Sequence, residues 1–81
     1  MRGSNTLGTI PNEVVNAAFD NEWSPCKAWR EHLRLTQSEV AKRMGISQSA
    51  YAQMELSTRP RKTTLIKISK AMGLTYEQLA W

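Results

Sequence analysis

Two helix starts lie either side of one tight stop, and this constrains the chain more than any other feature of its sequence. Thr36 is a capping residue, and Glu39 completes a capping box, Thr36-Gln37-Ser38-Glu39. Gly45 tolerates the left-handed conformation that ends a helix. Ser47 caps the next helix only two residues later. Two helices joined through so short a turn must cross steeply, so they need a small residue where they touch, and Ala41 supplies it. Apolar contacts must then lock the pair, and Val40, Met44, Ile46, Tyr51 and Met54 are placed to do so. Gln48, Ser49 and Gln53 face outward on the second helix.

The same punctuation recurs along the chain. Ser24-Pro25 is an N-cap followed by proline at a first helical position, which predicts a helix over about 25–34 with Trp29 and Leu33 on its buried stripe. Pro11 suits a first helical turn, and Val14, Val15, Ala18 and Phe19 share a face, so a short helix is expected over about 11–20. After the basic loop Ser57-Thr58-Arg59-Pro60-Arg61, Thr63 or Thr64 opens a helix carrying Leu65, Ile68 and Met72, which Gly73 stops. Thr75 and Gln78 form a second capping box for a last helix, with Leu79 pointing inward. No segment alternates with period two. The expectation is an all-α domain of five or six short helices.

At 81 residues the chain has room for one small domain and one modest core. The segment 1–10 reads as a flexible tail whose opening Met1-Arg2-Gly3-Ser4 looks vector-derived, 11–23 as a short helix and linker, and 24–81 as the main domain. One cysteine, Cys26, excludes an internal disulfide and a multi-cysteine zinc site. A single histidine, His32, and a single aspartate, Asp20, leave too little for a catalytic triad or a metal centre. No enzymatic activity, metal or cofactor is therefore expected. His32 reads as an exposed helix residue and Cys26 as an inert thiol. No apolar run approaches the roughly 20 residues that cross a bilayer, and no secretory leader is visible, so a cytoplasmic, nucleoid-associated location is expected, with no membrane partner.

The net charge of +4 is unevenly placed. Residues 1–23 hold one base against three acids, a net of −2, whereas residues 24–81 hold ten bases against four acids, a net of +6. A basic domain attracts polyanions through counterion release, and DNA is the default polyanion of a cytoplasm. The outward glutamines suit that partner, because a side-chain amide can donate to and accept from adenine at once.

The stretch Gln37 to Leu56, QSEVAKRMGISQSAYAQMEL, resembles the helix-turn-helix of the Xre family, the Cro and phage-repressor type. The likeness extends from about Ala28 to Leu79. It implies a five-helix lambda-repressor-like domain, here with a short extra N-terminal helix. It implies a sequence-specific repressor that binds a double-stranded DNA operator as a homodimer. Carried over by position, Ser47, Gln48, Ser49, Ala52 and Gln53 would face bases, Ala52 through its methyl. Gln37, Arg59, Arg61 and Lys62 would hold phosphates. Arg30 and Glu55 would form a structural pair tying the first helix of the domain to the recognition helix.

Two departures stand out. Leu56-Ser57 replaces a common Asn-Gly after the recognition helix, and Arg34 stands where glycine is common, adding positive charge near the same face. Ile10-Pro11-Asn12-Glu13-Val14-Val15 and Trp29-Arg30-Glu31-His32-Leu33 also resemble the DNA-binding parts of toxin–antitoxin antitoxins. That likeness implies autoregulation of an operon and a cognate toxin protein as a further partner. The alternative is a protein-interaction module that neutralises such a toxin through the acidic segment 11–23, with DNA binding secondary. Val15, Phe19 and Trp23 suit either a staple onto the domain or a partner surface, and Leu79 and Trp81 either the core or a dimer seam.

Overall fold

In a computed structural model, which describes residues 10–81, the chain is a bundle of six helices with no strand among the described residues. They are α1 (Asn12–Asn21), α2 (Pro25–His32), α3 (Gln37–Met44), α4 (Gln48–Leu56), α5 (Lys62–Met72) and α6 (Tyr76–Leu79). The expected tail falls almost wholly outside the described residues, and Ile10 packs against the core.

Local chemistry explains most of the boundaries. The Ser24, Thr36, Ser47 and Thr75 hydroxyls each accept a bond from the backbone N–H three residues on, and the Thr36 and Thr75 capping boxes are complete. Gly45 and Gly73 end α3 and α5 with φ of 73° and 75°, in the left-handed region. The chain leaves α4 differently. Ser57 is extended, with φ of −64°, so this exit uses no left-handed residue and the replaced Asn-Gly leaves no strain behind it.

Three boundaries depart from expectation. Pro11 is the extended N-cap of α1 rather than its first helical residue. The second helix ends at His32, because Arg34 turns left-handed. The fifth begins at Lys62, with Arg61 at its N-cap and no side-chain bond there, so neither Thr63 nor Thr64 opens it.

The core joins every helix: Val14 and Ala18 from α1, Cys26, Ala28 and Trp29 from α2, Val40 and Ala41 from α3, Tyr51 from α4, Leu65, Ile68 and Met72 from α5, and Leu79 from α6. Trp29 spans the centre, and its indole N–H donates to the Gln78 carbonyl at 2.7 Å, closing α6 onto α2. Two apolar residues placed on buried stripes lie outside the core. Phe19 is 74% exposed, because α1 packs chiefly on α2 and one narrow seam through Val14 and Ala18 satisfies that contact. Leu33 is exposed because it lies beyond the last turn of α2.

Gly45 has no atom within 4 Å of where a Cβ would stand. Its substitution cost is therefore conformational and not steric. Gly45→Ala should cost about 1–2 kcal/mol and lower the melting temperature by several degrees in a circular-dichroism melt.

Candidate nucleic-acid interface

The α3–α4 bend forms as its sequence requires. Ala41 is buried at the contact, and its carbonyl accepts from the Ile46 N–H at 3.0 Å across the turn. Val40 and Tyr51 are fully buried beneath it, with Met44, Ile46 and Met54 packed on them. Locked in this way, α4 presents Ser47, Gln48, Ser49 and Gln53 to solvent, with Ala52 half-buried between them. The Ser47 hydroxyl is occupied as a cap, accepting from the Ala50 N–H at 3.1 Å.

Beneath this face runs a chain of hydrogen bonds with a fixed direction. Arg30 is buried and donates twice to Glu55, from Nε to Oε2 at 2.6 Å and from Nη2 to Oε1 at 3.2 Å. Its Nη1 donates to the Leu35 carbonyl at 2.8 Å, and Nη2 also meets Glu31 at 3.3 Å. Glu55 Oε1 accepts a further bond from Gln37 Nε2 at 3.0 Å. Gln37 Oε1 in turn accepts from Gln48 Nε2 at 2.6 Å. An ionised carboxylate only accepts and a guanidinium only donates, so the orientation of both amides follows. Gln37 must turn its NH2 toward Glu55, and Gln48 must turn its NH2 toward Gln37. Gln48 keeps its carbonyl oxygen and one N–H uncommitted.

This arrangement shifts the ionisation of its members. Burial alone would raise the Glu55 carboxyl, but donation from Arg30 and Gln37 and the Arg30 charge outweigh it and hold the carboxyl below its usual value. Arg30 is raised, chiefly by its bond to Glu55. The Tyr51 hydroxyl is buried beside Glu55, and burial first, then the Glu55 charge and its interaction with that carboxylate, push its ionisation up. Cys26, buried nearby, is pushed up to about 12 by burial and then by Glu55, which leaves it a poor nucleophile.

The expected phosphate residues sit in two places. Gln37, at the first position of α3, borders a shallow cleft with Arg34, Ser38 and Gln48. Arg59, Arg61 and Lys62 are exposed at the entrance to α5. The Lys62 ammonium stands 5.3 Å from the Tyr76 ring centre, a cation–π contact that holds it against α6. A second cleft, between the α1–α2 corner, the α4–α5 loop and the C-terminus, contains none of the expected base or phosphate residues. Among the described residues, no cluster of histidine, cysteine and carboxylate side chains could hold a metal. No described helix is long and apolar enough to cross a membrane.

Sequence reasoning missed the link from Gln37 to both Glu55 and Gln48. A signal for it exists: Gln48, Tyr51 and Glu55 are spaced three, then four residues apart and so lie along one side of α4. That side faces α2 and the start of α3.

Removing one partner of a buried ion pair leaves the other unpaid for in low dielectric. Glu55→Gln should therefore destabilise the fold by about 3–5 kcal/mol. In the wild type, a carboxyl held low contributes stability that is full above the usual carboxylate range and fades as pH falls through the folded value. Acid titration of thermal stability should thus show a fall that is shallower in the Glu55→Gln protein.

No curated protein and no solved structure gives a significant match to the chain. A family model described as helix-turn-helix matches residues 27–79, which takes in α2 to α6 apart from the first two residues of α2. With that match and with the bent helix pair in place, the chain belongs to the helix-turn-helix family of the Xre/Cro type, a family of DNA-binding regulators.

Proposed function

We propose that this domain is a transcriptional repressor that binds a specific double-stranded DNA operator as a homodimer. The observation that carries this reading is the directed chain from Arg30 to Gln48. It supports a side-chain amide at the exposed start of α4 in one orientation, with one donor and one acceptor left over, the pattern that pairs with an adenine edge. A freely rotating glutamine would lose that selectivity to side-chain entropy.

Each remaining residue then has a role. Ser49 and Gln53 select neighbouring bases, Ser47 uses its hydroxyl proton, and the Ala52 methyl meets a thymine methyl. The second N–H of Gln37 reaches a phosphate, and Arg59, Arg61 and Lys62 bind phosphates from the entrance to α5. Two copies place their α4 helices in successive major grooves about 34–36 Å apart on a palindromic site. Such occupancy blocks a promoter without chemistry, and an operator upstream of the protein's own gene would make it autoregulatory.

A second reading rests on α1. Phe19 is 74% exposed, beside the acids Asp20 and Glu22. An exposed apolar ring on an acidic segment suits a basic protein partner, and the resemblance to antitoxins implies a toxin as that partner. Deleting residues 1–23 is a poor test, because Val14 and Ala18 belong to the core. Phe19→Asp keeps the core, and loss of co-purification with a toxin encoded beside this gene, with DNA binding intact, would support this role.

Selecting duplexes from a random pool should yield one enriched, two-fold symmetric sequence, and footprinting should protect it. No enrichment would reject the operator reading. Against the selected site, Gln48→Ala should cost about 1–3 kcal/mol of discrimination and leave random DNA unaffected. Equal losses on both duplexes would remove Gln48 from base recognition. Arg61→Ala should weaken both duplexes alike and make the salt dependence shallower by about one phosphate.

A further inference from the structure

Arg34 occupies a place that a side chain resists. Its φ is 59°, in the left-handed region. Its N–H donates to the Glu31 carbonyl at 3.1 Å, and the Leu35 N–H donates to the Arg30 carbonyl at 3.0 Å, so the residue is the left-handed closure of α2. Glycine serves this position without penalty, whereas any other L residue carries strain. Nothing inside the fold compensates arginine for it. The side chain is exposed, and no hydrogen bond or ion pair engages its guanidinium among the described residues.

The compensation lies in the cleft outside. Arg34 shares its wall with Gln37 and Gln48, the two amides on which the proposed function depends. The same corner holds Arg30, Glu31 and Glu55, linked by the bonds that orient those amides. One guanidinium stands there against two carboxylates. Without Arg34, the corner that must receive a phosphate would carry an excess negative charge, much of it at partly exposed Glu31. Arg34 brings the corner to neutrality and places its own charge at the exposed rim.

We propose that Arg34 is a phosphate-binding residue of the duplex interface, which offsets the carboxylates of the Arg30–Glu55 network beneath it. This rests on the DNA-binding reading above. Its charge, not its shape, is what the site uses, and the left-handed strain is the stability given up for it.

Three variants separate charge from backbone: Arg34→Gly removes both charge and strain, Arg34→Gln removes the charge alone, and Arg34→Lys keeps the charge. The probe is a short random-sequence duplex, since a phosphate contact ignores sequence, with binding measured across a salt series and a thermal melt run alongside. Arg34→Gly should melt higher than wild type yet bind more weakly, with its log–log salt slope shallower by about one. Arg34→Gln should lose binding to the same degree, Arg34→Lys should retain it, and Glu31→Gln in the Arg34→Gly background should recover part of the loss. Wild-type affinity and slope in both Arg34→Gly and Arg34→Gln, in a protein whose binding still falls with Arg61→Ala, would overturn this assignment alone. A wild-type chain that retained no duplex at all would overturn the DNA-binding reading and this assignment with it.

Discussion

The buried contact between Arg30 and Glu55 is the constraint from which the rest follows. Neither group could be held charged inside so small a fold by Coulomb attraction alone, because desolvation of both is expensive. They are held because each remaining polar atom finds a use. The Leu35 carbonyl and Glu31 take up the other guanidinium donors, and Gln37 fills the second carboxylate oxygen. One side chain on α2 and one near the end of α4 thus settle how α4 lies across the domain. The same bonds dictate the orientation of two amides at the surface. Core and surface are continuous here: the outermost bond at Gln48 is oriented by an ion pair that solvent barely reaches.

A small domain has little other means of ordering an exposed side chain. Packing cannot hold Gln48, which solvent surrounds. Hydrogen bonding to a partner that is itself anchored can, and Gln37 is anchored because Glu55 accepts from it. The start of α5 uses a different device, laying Lys62 over the ring of Tyr76, which limits where its charge can go without neutralising it.

Much of this was legible in the sequence because the signals were local. Capping at Ser24, Thr36, Ser47 and Thr75, and the left-handed stops at Gly45 and Gly73, depend only on residues a few positions apart. The bend itself was equally plain, since Ala41, Gly45 and the apolar positions around them admit few alternatives. What could not be read depended on tertiary neighbours. Phe19 shares a helical face with buried residues, and only the narrowness of the α1–α2 contact leaves it in water. The start of α5 was misjudged because threonines suggested a cap that Arg61 occupies without one. The family resemblance implies a phosphate contact for Gln37, whereas its bonds to Glu55 and Gln48 appear only once α3 and α4 are placed together.

The bond from the Trp29 indole to the Gln78 carbonyl has a bearing on how the protein is made. It joins residues 49 positions apart, and the buried Leu79 lies just beyond it. During synthesis, Trp29 leaves the ribosome long before the segment that covers it. While the last helix is still in the exit tunnel, that indole lacks both its acceptor and its lid. The domain therefore completes its folding only once α6 has emerged, and a nascent chain stalled before residue 78 exposes the Trp29 indole to chaperones and proteases.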